Sequence, residues 1–181
     1  MKVLRSYLVF VISSLLVLMS CNVSAETKKS LEYKVKAAYL YNFAKFVVWP
    51  VGVLNESSNI TINYCIYGKD PFGHAISLIK NKVVQGHKVR INYLNPGDGV
   101  EFCHVLYFAN TSPEAFRLLA QHQNSPILTV SDAENFASNG GCIGLNISGG
   151  KVRFNINAKA IEEAGLKVSA KLMELAEVVI R

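Results

Sequence analysis

The sequence predicts an α/β fold: a mostly parallel sheet of five or six strands, with helices on both faces and a β-hairpin at the C-terminal edge. Two patterns lead to this prediction. Strand-like and helix-like segments alternate through most of the chain, which is typical of a parallel sheet covered by helices. The last two long strand-like segments are separated only by Gly149-Gly150, a two-residue hairpin signal that indicates antiparallel pairing.

The N-terminus has the pattern of a secretory signal. Lys2 and Arg5 precede an apolar stretch over residues 7–19, which is shorter than a membrane-spanning helix needs. Val23-Ser24-Ala25 then supplies the small residues that a signal peptidase recognises. This pattern predicts export from the cytoplasm.

A second cleavage site competes with the first. The segment ending at Cys21 resembles a lipobox, but Met19 stands where such a motif usually has a small or β-branched residue. We therefore expect a signal peptide over residues 1–25 and a single domain over residues 26–181. A lipoprotein anchored at Cys21 is the alternative.

Length and charge fit one exported domain. Removing 25 of the 181 residues leaves 156, enough to bury a core. Removing Lys2 and Arg5 from the 19 basic residues leaves 17 against 13 acidic ones, a net charge of +4, and the lysines are scattered. This distribution does not indicate a nucleic-acid partner.

The first half of the domain begins with a helix. Ser30 can cap a helix that runs to about Val48, and Trp49-Pro50 ends it because proline disfavours helical geometry in the preceding residue. Apolar periodicity then predicts strands over 59–67, 87–94 and 102–109 and a helix over 72–82.

The second half contains two capping-box patterns, Thr111 to Glu114 and Ser131 to Glu134, each of which predicts a helix start. Between and after them, strands are predicted over 126–130, 142–148 and 151–156. A short helix is expected after Asn157. An amphipathic helix is expected from Ser169, with Leu172, Leu175, Ala176 and Val179 on one stripe.

No catalytic or metal-binding pattern is present in the sequence. The four histidines are spread along the chain without the close spacing of a metal site: His74, His87, His104 and His122. Cys103 and His104 are adjacent, but neighbours on a strand point to opposite faces. We therefore expect no enzyme activity, no metal and no cofactor.

The predicted first helix has two apolar faces. Five residues form the face expected against the sheet: Tyr33, Ala37, Leu40, Ala44 and Val47. The second face consists of Val35, Tyr39, Phe43 and Phe46, and we predict that it binds a partner. Three occupants stay open: the C-terminal helix of the same chain, a second subunit in a homodimer, or a different protein.

Polar residues follow several predicted strands. In open α/β sheets ligands gather at the carboxyl ends of the strands. This rule makes six residues candidates for binding a small ligand: Lys69, Asp70, Asn110, Thr111, Ser131 and Asp132. The alternative is that they are turn and cap residues with local roles.

Export also bears on the cysteines. An oxidising compartment makes Cys65, Cys103 and Cys142 candidates for a disulfide. Their number is odd once Cys21 is removed, so one thiol must stay free or pair between chains. If a lipobox cut keeps Cys21, a thiol could meet it, although the Cys21 sulfur would then be lipidated.

Five segments follow one another in a recognisable order: AAYLYNFAKFVVWP (37–50), YGKDPFG (67–73), CHVLYF (103–108), ILTVSD (127–132) and VRFNINAKAIEEAGLKVSAKLMELA (152–176). Together they resemble the YfiR-like, or HmsC-like, family of periplasmic repressors. The match spans essentially the whole exported chain.

The resemblance implies a binding protein that docks on the periplasmic sensor domain of an inner-membrane diguanylate cyclase and keeps it inactive. Cyclic-di-GMP output and biofilm formation would rise on release. It also implies a Cys65–Cys103 disulfide, whereas Cys142 has no evident partner. The alternative function is a periplasmic small-molecule-binding module coupled to a sensor kinase or an outer-membrane receptor.

Overall fold

The computed structural model describes residues 28–54, 61–109 and 111–181. The predicted signal peptide, both candidate cleavage sites and Asn110 lie outside these ranges. No helix within them is long and apolar enough to cross a membrane.

Ten strands and five helices are described in these ranges. In chain order they are α1 (28–43), β1 (Val47–Val48), β2 (Thr61–Tyr67), α2 (His74–Ser77), β3 (Val83–Val84), β4 (His87–Leu94), β5 (Val105–Phe108), α3 (Pro113–Gln121), β6 (Leu128–Ser131), β7 (Ile143–Ser148), β8 (Lys151–Asn157), α4 (Ala158–Glu163), β9 (Lys167–Val168), α5 (Ala170–Leu175) and β10 (Val178–Ile180).

The main sheet has eight strands in the order β10-β8-β7-β6-β5-β2-β4-β3. Five of its strand pairs are parallel: β10–β8, β7–β6, β6–β5, β5–β2 and β2–β4. Two are antiparallel, the β7–β8 hairpin and the β3–β4 pair at one edge. The α/β class is therefore confirmed, but the prediction of five or six strands is wrong. The β7–β8 hairpin is also not the edge, because β10 pairs in parallel with the far side of β8.

The predicted first helix is too long at its C-terminus. It ends at residue 43, and β1 pairs antiparallel with β9 in a separate two-stranded sheet. Two backbone carbonyls released at this point, those of Ala44 and Val47, accept hydrogen bonds from Gln85 Nε2 at 2.8 and 2.7 Å. This long-range amide replaces the helical donors that a continued helix would have supplied.

Two further helix predictions need correction in length. The helix expected over 72–82 is reduced to α2, because Asn81 has a φ of +64° and its N–H bonds to Val89 O on β4 at 3.0 Å. The last helix begins as predicted at its Ser169 cap, but Val179 lies in β10 rather than on the helix. Val178 and Val179 are β-branched residues that pair with β8 at the sheet edge.

Local capping signals succeed at α4 and α5, shift by one residue at α3, and fail at Ser131 and at Ser30, which lies inside α1. Asn157 and Ser169 cap α4 and α5 through their side-chain oxygens. The N-cap of α3 is Ser112 rather than Thr111, with Oγ accepting from Ala115 N at 3.2 Å. Ser131 ends strand β6, and the predicted helix after it is a series of turns.

Two cores lie on the two faces of the main sheet. The α1-side core contains residues of α1, α2, α4 and α5, whereas the α3-side core contains residues of α3. Strand β2 illustrates the division, because Tyr64 and Ile66 enter the first core while Cys65 and Tyr67 enter the second. Helices on both faces are thus confirmed.

Candidate protein-docking surface

The middle of the second apolar face of α1 packs on the hairpin of its own chain. Phe43 is 1% exposed, and its ring centroid lies 5.0 Å from that of Phe154 on β8. The ring centroid of Tyr39 lies 5.5 Å from the centroids of both Phe43 and Phe154, and its hydroxyl donates to Val152 O at 3.4 Å. Phe46 is partly buried against the same core. This packing uses β8, which was not among the three occupants that the sequence suggested.

The N-terminal end of that face is open. Leu31 is 62% exposed and Val35 is 38% exposed, and across from them Ile147 on β7 is 52% exposed. Together with Val152 these side chains line a groove of about 320 Å³ between α1 and the β7–β8 hairpin. We refer to it as the α1–hairpin groove. Lys28, Lys151 and Glu32 also line it, so the largely apolar surface has charged neighbours of both signs.

The hairpin wall of this groove has a defined geometry. Ile147 is paired with Val152, and the chain reverses through Gly149 and Gly150, whose φ angles are +56° and +74°. Residues with a side chain rarely adopt such φ angles, so the two glycines allow the tight turn that sets the register of β7 and β8. The wall of the groove is therefore fixed by backbone pairing.

A buried ion pair fixes the other wall. Lys36 on α1 is 4% exposed, and its Nζ lies 2.5 Å from Asp132 Oδ2 and 2.5 Å from Glu32 Oε1. The Tyr33 hydroxyl donates to Asp132 Oδ2 at 3.0 Å. These contacts tie the N-terminal half of α1 to the residue that follows β6 and so set the direction in which Leu31 and Val35 project.

The charge state of this cluster follows from its contacts. Burial by itself would raise the pKa of Asp132, but hydrogen bonding and charge from Lys36, with the Tyr107 and Tyr33 hydroxyls, hold that pKa below its usual value. Burial, and then the nearby Asp132, raise the pKa of Tyr33. Asp132 is thus a carboxylate and Tyr33 a neutral donor near neutral pH.

The candidate ligand residues at the strand ends have local roles. Strands β6, β5 and β2 are adjacent and parallel, so their carboxyl ends do share one edge. Ser131 Oγ donates to Phe108 O at 2.8 Å and accepts from Ala133 N at 3.1 Å. Asp70 Oδ1 accepts from Phe72 N at 2.8 Å. These are turn contacts of the kind that the alternative interpretation expected.

Among the remaining strand-end candidates, Asp132 belongs to the ion pair, Lys69 is exposed, Thr111 is half-buried, and Asn110 lies outside the described residues. Their role in binding a ligand stays a prediction.

The structure contains the Cys65–Cys103 disulfide that the resemblance implies. The two Cα atoms lie 5.9 Å apart. Cys103 precedes β5 instead of lying within it, in a turn where its N–H bonds to Val100 O at 2.9 Å. Cys142 is free and buried, and burial raises the pKa of its thiol.

The His104 ring has a structural role, because both of its nitrogens contact backbone groups. His104 Nδ1 accepts from Asn63 N at 3.0 Å, so Nε2 carries the proton and lies 3.3 Å from Val53 O. Burial lowers the pKa of His104. In the described ranges, no group of three His, Cys, Asp or Glu side chains could hold a metal ion.

Sequence reasoning found Val35 but missed the rest of the groove. The signal for Ile147 was weak: one apolar residue between Asn146 and Ser148 beside a hairpin turn. No local pattern links Lys36 to Asp132, which are 96 residues apart.

The fold and this surface define a disulfide-bonded α/β protein with an exposed apolar groove. A comparison of the chain with protein-family models gives the particular family. Residues 33–177 match the YfiR/HmsC-like model, and the chain belongs to the YfiR/HmsC-like family. Its members are regulatory rather than catalytic, and membership indicates a periplasmic regulator of cyclic-di-GMP signalling.

Proposed function

We propose that this protein is a periplasmic repressor that binds the periplasmic sensor domain of an inner-membrane diguanylate cyclase through the α1–hairpin groove. Family membership supports a regulator of this pathway. The observation that carries the docking surface is the exposure of Leu31, Val35 and Ile147 in one groove.

A groove of this kind suits protein binding for two reasons. Clustered exposed apolar side chains are unusual on a soluble domain and mark interaction sites. Both walls are also held by long-range contacts, the Lys36–Asp132 pair and the β7–β8 ladder, so little conformational entropy is lost on binding.

The groove redefines the partner-binding face that the sequence predicted. Val35 contributes directly. Tyr39 and Phe43 support it from behind by packing α1 on β8. Phe46 lies beyond the end of α1, in the turn before β1, and is partly buried.

The test places a charge in the groove. Val35→Asp and Ile147→Asp should each weaken cyclase binding by at least about tenfold, because a carboxylate must be desolvated in an apolar contact. The readout is cellular cyclic-di-GMP in a strain that lacks the native gene and carries each variant. Loss of repression should raise it.

The matched control is Val83→Asp, at a half-exposed valine on the opposite edge of the sheet. This variant should repress normally. Circular dichroism of each purified variant checks that it is folded. Normal repression by both folded groove variants would contradict the proposed docking surface.

A further inference from the structure

A second pocket lies on β7 and β8, the two strands that form one wall of the α1–hairpin groove. It has a volume of about 330 Å³ and is lined by residues of β7, β8 and the turn over residues 132–138. We call it the β7–β8 pocket. Its volume is at the lower end of the range of small-molecule sites, so it can hold only a compact ligand.

Two asparagine oxygens of this pocket lack a hydrogen-bond partner. Asn146 Oδ1 on β7 and Asn155 Oδ1 on β8 are both buried, and neither bonds to another described residue. The register pairs Gly144 with Asn155, so Asn146, two residues further along β7, lies on the same face of the hairpin. Because most buried polar groups in proteins are paired, two unpaired acceptors in one pocket point to a ligand that donates hydrogen bonds.

The contacts of Asn146 establish which of its amide atoms is unpaired. Asn146 Nδ2 donates to Glu177 Oε2 at 2.7 Å, so the atom left without a partner is the oxygen. At Asn155 the terminal torsion of the side chain is soft, so its amide can turn the oxygen toward a donor in the pocket. Both asparagines therefore offer a carbonyl acceptor.

The turn over residues 132–138 is held close to β7. Ala137 O accepts a hydrogen bond from Asn157 Nδ2 at 2.7 Å. A Cβ atom built at Gly144 would lie 3.3 Å from Ala137 N, which is tighter than most real contacts, so the glycine allows the turn to approach the strand. The two walls of the pocket are thus fixed by contacts within the protein.

The lining of the pocket supplies acceptors and apolar groups. Glu134 contributes an exposed carboxylate, whereas the carboxylate of Asp132 is already paired with Lys36. Phe136 and Leu145 contribute apolar contacts. Among the described residues, no lysine, arginine or histidine lines this pocket. A positively charged donor with a short apolar chain fits this lining, whereas a carboxylate on the ligand would meet no cation.

We infer that the β7–β8 pocket binds a small primary amine in its ammonium form, with a short apolar chain and no carboxylate. The ammonium group donates hydrogen bonds to Asn146 Oδ1 and Asn155 Oδ1, and the Glu134 carboxylate offsets its charge. This inference goes beyond the proposed function, because docking on a cyclase requires no small-molecule ligand.

A nuclear magnetic resonance titration of the purified, ¹⁵N-labelled protein with isopentylamine, at constant neutral pH and ionic strength, tests the site. We expect saturable shifts of the side-chain amide signals of Asn146 and Asn155. Two compounds of closely related shape serve as ligand controls. L-Leucine is the same amine with an added carboxylate, and isopentyl alcohol lacks the charge. Each should bind at least about tenfold more weakly than isopentylamine.

The variant Asn155→Leu removes one of the two acceptors and should weaken the binding of isopentylamine by about fivefold or more. Because the oxygen that it removes has no partner within the protein, the variant should stay folded, which its backbone amide spectrum checks. The matched control is Asn92→Leu. Asn92 is another half-buried asparagine with an unpartnered amide atom, but it lies on β4 outside the pocket, so this variant should bind like the wild type.

Three results would overturn the inference: no saturable shift at the two asparagines, wild-type affinity in folded Asn155→Leu, or equal affinity for L-leucine or for the alcohol. The comparison of ligands uses the wild-type protein, so it decides the question even where the variant does not fold. None of these results depends on the cyclase, so a failure here is distinct from a failure of the proposed repression.

Discussion

At the scale of single residues, the most consequential side chain is Lys36. It is a buried cation with two carboxylate partners, Glu32 and Asp132, and the second of these joins α1 to the end of β6. A buried pair adds little net stability, but breaking it leaves an uncompensated buried charge. The pair therefore sets the orientation of α1 more than the total stability.

Lys36→Met should lower the free energy of unfolding by about 3 kcal/mol, because Asp132 and Glu32 would then face each other without a cation. Urea unfolding measures this change. Lys159→Met is the matched control, since Lys159 forms an exposed pair with Glu163 at 3.7 Å and should change stability by less than about 0.5 kcal/mol. Equal effects of the two substitutions would show that Lys36 is not buried as described.

At the scale of elements, the disulfide joins β2 to the turn before β5. The register pairs Tyr64 with Val105, so the strand ladder and the covalent bond hold the same two segments together. The bond also belongs to the α3-side core, which includes Tyr67.

Cys65→Ser should destabilise the fold by about 4 kcal/mol, the chain-entropy value for a 38-residue separation. Chemical denaturation with and without a reductant provides the measurement, and the reductant should have no further effect on the variant. Cys142→Ala is the control, because it removes the free thiol and keeps the bond. A Cys65→Ser variant as stable as the wild type would contradict a stabilising role of the disulfide.

The element scale also explains the difference between α1 as predicted and α1 as found. Helical periodicity continues through Val47, but the Val47 backbone pairs with β9 and its carbonyl accepts a hydrogen bond from Gln85. Periodicity describes which face is apolar, and it does not say whether a distant strand competes for the same backbone groups.

At the scale of the whole molecule, acid stability combines groups from distant elements. His104 has a lowered pKa, so its contribution is lost as the pH falls below 6.5, its ordinary value. Asp132 also has a lowered pKa, and its contribution is complete above its ordinary value of 3.8 and disappears as the pH falls through the folded value.

Asp132→Asn should therefore flatten the part of the stability curve below about pH 4, while leaving the part nearer pH 6 unchanged. Urea midpoints measured from neutral pH to about pH 2.5 would show this. An unchanged slope below pH 4 in the variant would mean that Asp132 keeps an ordinary pKa in the folded protein.

The sequence by itself determined the features that depend on neighbouring residues. Gly149-Gly150 predicted the β7–β8 turn, because few other residues adopt the required φ angles. Asn157 and Ser169 predicted helix starts, because a cap acts within three residues. The alternation of strands and helices gave the α/β class for the same local reason.

Only the tertiary structure decided the features that depend on residues far apart in the chain. Val83 and Val179 became strand residues because sheet edges were available to them. Lys36 met Asp132, and Val35 met Ile147 across a groove, although no spacing rule connects either pair. Propensity and periodicity describe a segment alone, whereas partners across a fold are chosen by the packing of the whole chain.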